Sequence, residues 1–318
     1  MKFTILTEPV GMYYNYRTKI KKIVGRDRGF GGHAAVTRSL ITGLNAVADI
    51  EYNYRPKRES DIYPNVHVLA GVKTLQYAID LKKAGKIKHL TAGPNIVVFS
   101  TDADGIASNE EIDAFFQPSQ WAADLFISQT PSLKGRCIPW AAGIDLTKFF
   151  AEGNRLKRKV LIYHKGDSMQ FCYRLQFVVR QYGYEPIVIS YGNYNLEEYI
   201  SALSESLFMI SDSRIESQGI FMAEAWAMDV PTICFDAHYY HWSYGNNELD
   251  LEGSVSSCPY LSDETGVRFE TISELKYILE NWSAISPSMH PRKWVEENMS
   301  DEACAKRFIK IVENIYEK

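Results

Sequence analysis

At 318 residues, with 46% hydrophobic and 23% charged side chains, the chain has the apolar material for about two globular cores at roughly 150 residues each. A formal net charge of -4 argues against a broad basic face for DNA or RNA, so no nucleic-acid partner is expected. Five widely spaced cysteines without a C-x-x-C give neither a disulfide framework nor a cysteine zinc site, and they suit a reducing, cytoplasmic compartment.

Lys2–Leu6 is a short apolar strand, not a signal peptide. A glycine-rich stretch, Gly25 to Gly32, follows, and then a helical pattern from about His33 to Ala48. Val66–Ala70 reads as a second strand and Lys73–Ala84 as a helix. Asn95–Ser100 (NIVVFS) and Leu125–Ser128 are further strand candidates. The basic run Arg155–Lys159 has the character of a solvated linker, and it leaves room for peripheral contact with an acidic membrane surface. No run of 18 apolar residues spans a bilayer.

The alternation restarts at Lys159–Tyr163. It continues with a helix over Met169–Tyr182, a strand Pro186–Ser190, a helix Leu196–Ser206 and a strand Leu207–Ser211. A helix Gly219–Met228 stops before Pro231, and Thr232–Phe235 is a strand. Helices at Ser273–Trp282 and Asp301–Tyr316 close the chain, Ser300 and Asp301 offering N-cap chemistry. Alternating strands and helices predict an α/β fold of two doubly wound parallel sheets, with a boundary near residues 150–158. Such sheets bind ligands beyond the carboxyl ends of their strands. The chemistry therefore belongs in loops 25–33, 101–105, 164–168, 191–195 and 212–220.

The segment Ser211 to Thr232 joins a strand end, a polar loop, a helix start and another strand. Glu216 lies in the loop and Glu224 in the helix, so both can face one ligand. The N–H groups of Gln218, Gly219 and Ile220 lie at a helix N-terminus, where an anion is favoured. Two acids for sugar hydroxyls beside an anion nest suit a nucleotide-sugar.

This E-x7-E pattern, followed by Ala-x-Ala-Met-x-x-Pro-Thr, resembles the donor site of retaining GT-B glycosyltransferases, particularly family 4. The resemblance implies two Rossmann-like domains with a cleft between them. Residues 1–150 would hold the acceptor and 151–289 the donor, with about 290–318 returning to the first domain. Ile138 to Asp145 with Phe149, and Pro291 to Val295, are similar to the family's linker and tail.

By resemblance, Glu216 contacts the donor sugar and Glu224 the ribose; Ser217, with Gln218, Gly219 and Ile220, completes the donor-binding set. Lys165 neutralises the diphosphate. The family's Arg is missing where Tyr163 or His164 stands, and Arg174 is its candidate substitute. Gly31 and Gly32 correspond to the family's glycine loop, and His33 is either a phosphate or acceptor contact or a structural residue. The family's His after the fourth strand is absent. Asp102 stands there, either orienting an acceptor hydroxyl or acting as base, or else capping a turn that Asp104-Gly105 signals. The catalytic candidates are thus Glu216, Asp102 and Lys165.

The family's Gly-Phe-Gly is replaced by Gln218-Gly219-Ile220, and its glycine before Pro by Asp229-Val230. His238-Tyr239-Tyr240-His241 reads as an aromatic-rich loop rather than a zinc site. No metal and no cofactor are expected, the UDP- or GDP-sugar being a substrate. The implied function is retaining, metal-independent sugar transfer to a glycan, lipid or small molecule in carbohydrate biosynthesis. The alternatives are a nucleotide-sugar epimerase or hydrolase and an inactive nucleotide-sugar-binding protein.

Overall fold

The computed structural model describes residues 1–8, 32–150, 158–166, 168–244, 247–253 and 255–317. Gly31, most of the glycine-rich stretch, Arg155–Lys157 and Asp167 lie outside the described residues. Two compact units emerge. One holds the described residues up to Gly143 together with Asp301 onward, and the other holds those from Ile144 to Ser300.

In the first unit the strands are β1 (Lys2–Thr7), β2 (Glu51–Tyr54), β3 (Asn65–Ala70), β4 (His89–Asn95), β5 (Ala114–Gln117) and β6 (Cys137–Pro139). They form a parallel sheet of order β2-β1-β3-β4-β5-β6. Helices α1 (Gly32–Ala46), α2 (Val72–Lys83) and α3 (Gln120–Gln129) connect them. Parallel strands need crossovers of this length, and the crossovers bury both sheet faces. Val66, Val68, Leu90 and Phe115 pack against Leu75 and Ile79 of α2 and Phe126 of α3.

The opposite face carries an aromatic cluster. Phe308 lies within 6 Å, ring centre to ring centre, of Phe3, His67, Phe116 and Trp140. Phe308 belongs to the last helix, α9 (Asp301–Tyr316). That helix meets α1 at Gly43, where a Cβ would sit 2.2 Å from the Asp301 carbonyl oxygen. Asp301 takes the Arg38 guanidinium at 2.5 Å, and Trp140 Nε1 donates to the Cys304 carbonyl at 2.9 Å.

The second unit repeats the topology. Its strands β7 (Lys159–His164), β8 (Glu185–Ser190), β9 (Met209–Ser211), β10 (Thr232–Phe235) and β13 (Gly266–Phe269) are parallel, in the order β13-β10-β9-β7-β8. Helices α4 (Met169–Gln181) and α7 (Ile272–Glu280) cover the face made by Val160, Ile162, Phe208 and Ile233. From the other face Tyr163 meets Tyr199 of α5 (Leu196–Ser204) and Phe221 of α6 (Ile220–Ala227). Helix α8 (Pro291–Asn298) precedes α9. In chain order each sheet places its second strand beside its first and its third on the other side. The topological switch points therefore fall between β1 and β3 and between β7 and β9.

Three sequence expectations need correction. Asn95–Ser100 is not a strand. The ladder is His89–Asn95, and the N–H groups of Val98 and Phe99 go instead to the Asp102 carboxylate at 3.1 and 2.9 Å. Leu125–Ser128 lies inside α3, whose N-cap Ser119 accepts from the Ala122 N–H. Its short apolar run is one helix face, since periodicity over four residues does not separate strand from buried helix. The aromatic loop at 238–242 contains the start of a strand: β11 (Tyr239–Tyr244) pairs antiparallel with β12 (Asn247–Glu252).

Asp229, which stands where the resemblance expects glycine, has φ 57°. It occupies the left-handed position after α6, and its N–H and that of Val230 close onto Trp226 and Ala225. Among the described residues no helix is long and apolar enough to cross a membrane.

Candidate functional site

At the second unit's switch point the chain leaves β7 as His164-Lys165-Gly166 and leaves β9 as Asp212-Ser213. The register aligns Tyr163 with Ser211, so the residues just past both strands are neighbours. Lys165 Nζ reaches Glu216 Oε1 at 2.6 Å, and Ser213 Oγ donates to the same oxygen at 2.7 Å. The Glu216 N–H is tied to the Ser256 carbonyl at 2.9 Å. Glu216 is 8% exposed, a burial that a carboxylate tolerates because it is paired and hydrogen-bonded. The Lys165 ammonium also lies 4.8 Å from the centre of the exposed Tyr191 ring.

Glu224 is buried on α6. Tyr194 lies near both acids. Burial pushes its phenol up to about 12, and the charges of Glu224 and Glu216 add to that effect. Tyr194 Oη is 2.7 Å from Tyr163 Oη. The Tyr163 hydroxyl is likewise raised, by burial first and then by Tyr194, Tyr199 and Glu216. Both phenols therefore stay neutral and serve as hydrogen-bonding walls. Tyr163 stacks on Phe221 at 4.0 Å and 11°, which seats α6 against the sheet.

Gly219, with φ 78°, caps α6. Only glycine adopts that backbone readily. The first intrahelical bond runs from Met222 N–H to the Gly219 carbonyl, so the amides of Gly219 and Ile220 precede the ladder. Gln218 is buried, Ile220 half-buried and Ser217 exposed. This end of α6 lies four residues from the Lys165–Glu216 pair and offers N–H groups with the positive end of a dipole.

The chemistry legible in the motif thus gathers Glu216 and Lys165, with Glu224 and α6 beside them. Arg174 is not brought in. It is exposed on α4, about 200° round the helix from the buried Cys172 at 3.6 residues per turn. In the first unit, Gly32 and His33 open α1, with His33 exposed. Asp102 uses Oδ2 to accept the Val98 and Phe99 amides, which is the turn-closing alternative. Ala103, Asp104 and Gly105 then follow with positive φ. His238 and His241 are exposed and pair with Glu270 and Asp250, each at 2.9 Å. These carboxylates raise both imidazoles.

Two site residues carried no assigned role in the sequence. Asp212 Oδ1 accepts the N–H groups of Lys165 and Gly166 at 2.7 and 2.8 Å, and Oδ2 lies 2.5 Å from His164 Nδ1. His164, Cys172 and Asp212 place potential ligand atoms within 4.8 Å of one another. Both Asp212 carboxylate oxygens are already engaged, Cys172 Sγ accepts from Gln176, and the three groups are one fewer than the four ligands of a closed structural zinc site. The one sequence signal for it is a polar His and Asp at the ends of neighbouring apolar strands.

No protein-family profile matches the chain, and no curated protein matches it. Solved structures do. The lipopolysaccharide outer core galactosyltransferase WaaB, in apo form, is 11% identical with a TM-score of 0.58, and 99% of each chain is covered. Anabaena Alr3699/HepE in complex with UDP and glucose is 10% identical with a TM-score of 0.52, covering 99% of this chain and 100% of that one. The catalytic domain of starch synthase IV from Arabidopsis thaliana, bound to ADP and acarbose, is 10% identical with a TM-score of 0.52, covering 92% and 80%. At these identities the likeness shows the fold alone: a GT-B-like architecture of two Rossmann-like domains.

Proposed function

We propose, from that fold and the acidic pair beside Lys165, that the protein is a retaining, metal-independent glycosyltransferase. It takes a sugar from a UDP- or GDP-sugar and passes it to a hydroxyl of a glycan, lipid or small molecule in a reducing, cytoplasmic compartment. The observation that carries the reading is the meeting of Lys165, Glu216 and the start of α6 at one switch point. The five free, buried cysteines suit the compartment.

In this reading Glu224 receives the ribose hydroxyls and the amides of Gly219 and Ile220 face the diphosphate. Lys165 exchanges Glu216 for phosphate oxygen, which frees Glu216 to accept from the sugar hydroxyls. As the bond between the anomeric carbon and the phosphate oxygen breaks, negative charge builds on the leaving diphosphate. Lys165 and the α6 amides stabilise that charge where it develops. The leaving phosphate oxygen takes the acceptor hydroxyl's proton while the new glycosidic bond forms on the same face of the sugar. The engagement of Asp102 with two backbone amides fits a reaction that draws its base from the donor.

The test is ligand-dependent melting with UDP, GDP and their sugars, followed by product analysis with an acceptor panel. Native-state binding raises the melting temperature. Glu224→Ala should abolish the nucleotide-induced shift, and Glu216→Ala should leave UDP or GDP binding while cutting transfer. Normal transfer by both variants refutes the assignment. Free sugar or an epimer formed without acceptor replaces it with hydrolysis or epimerisation.

A further inference from the structure

We propose that Asp212 is a positioning residue. Its buried carboxylate fixes the backbone of Lys165, so that a ligand need only redirect the lysine side chain from Glu216. The functional meaning rests on the donor-site reading above, whereas the brace itself does not.

Asp212 is 1% exposed, and an isolated buried carboxylate is strongly disfavoured. It is held by the consecutive amides of Lys165 and Gly166 on Oδ1 and by His164 Nδ1 near Oδ2. Consecutive amides converging on one oxygen form the concavity in which many loops hold an external anion. Here the anion is supplied by the chain itself. These two amides are therefore committed, and the charge of a bound diphosphate falls to Lys165 Nζ and to the start of α6.

The brace also joins the two strands that flank the switch point. Gly166 permits the approach, since a Cβ there would lie 2.9 Å from the Asp212 carbonyl oxygen and 3.2 Å from its Cγ. Ser168, the N-cap of α4, takes up the Phe171 amide. Beyond the braced backbone, the Lys165 side chain reaches Glu216 and Tyr191.

The experiment compares wild type, Asp212→Ala, Asp212→Asn, Lys165→Ala and Asp212→Ala/Lys165→Ala in the full chain. It reads amide hydrogen exchange and titrations with UDP and GDP. Asp212→Ala should speed exchange of the Lys165 and Gly166 amides about tenfold while β9 and β10 stay protected. It should weaken nucleotide binding about tenfold, added formate should restore part of both, and Lys165→Ala should add little on top. Asp212→Asn retains an oxygen acceptor and should stay near wild type in exchange.

Unchanged exchange at the two amides in Asp212→Ala, or full additivity with Lys165→Ala, overturns the proposal. If Asp212→Ala does not fold, Asp212→Asn decides: protection of both amides supports the brace and its loss overturns it. If wild type binds neither nucleotide, the donor reading fails while the exchange data still settle the brace.

Discussion

Replacing Lys165 by Met should destabilise the second unit more than replacing Lys165 and Glu216 together by Met and Gln. The lysine side chain is 27% exposed and that of Glu216 9%. Removing the cation leaves a mostly buried carboxylate held by Ser213 Oγ and without its counter-charge. Breaking a fully buried pair from one side costs about 3–5 kcal/mol. The exposure of Lys165 and solvent screening reduce that, to about 2 kcal/mol here. In the double variant no charge is stranded, Gln keeps an acceptor for Ser213, and the cost falls to about 0.5 kcal/mol. The Lys165→Met variant is therefore about 1.5 kcal/mol less stable than the double variant, and the coupling is that difference plus the cost of Glu216→Gln alone, well outside the scatter of independent sites. Urea unfolding of the four proteins in the cycle measures it, with a companion melting shift of about 4–8 °C for the single variant. Additive losses, or a single variant no weaker than the double, would refute the reasoning about burial and charge.

Three further outcomes are expected. His67 is wholly buried, and burial lowers its imidazole to about 3. The unfolded chain then binds the extra proton from about pH 6.5 downward, so the first unit should lose about 2 kcal/mol by pH 5 and about 4 kcal/mol by pH 3. Unfolding followed across that range checks it, with His67→Leu expected to flatten the profile and an unchanged slope counting against it. Gly43→Ala should cost about 2 kcal/mol through the overlap with Asp301 and Ala305, seen as early loss of exchange protection in α1 and α9; wild-type protection would show that the helices separate freely. Asn195→Ala removes the capping box at the start of α5 and should lower stability by about 1 kcal/mol in urea titrations, a neutral result indicating that Glu198 alone suffices.

The alternation of apolar strands and amphipathic helices was legible through most of the second unit because its strands are short apolar runs, as in Val160–Ile162 and Ile187–Ile189. It failed at β4, where Gly93 and Pro94 interrupt the apolar run, and at the hairpin, whose aromatic strand looked like a loop without its partner. In the candidate site, Lys165 and Glu216 could be read because both follow strand ends in one loop set. Arg174 could not be placed until the phase of α4 was known. Asp212 was hidden for a different reason: its role depends on the pairing of Tyr163 with Ser211, a relation between segments 48 residues apart.

The connectivity has a consequence for dissecting the molecule. Ile144 and Ser300 form a bridge, and the Ile144 amide bonds the Met299 carbonyl, so the second unit begins and ends at one place. Residues 144–300 can be excised as a single piece with abutting ends. The remainder is two pieces, and stopping the chain at Gly143 strips Phe308 from the aromatic face of the first sheet. A soluble first half would need the final helix grafted back through a short joint, in effect an inserted domain removed from its host.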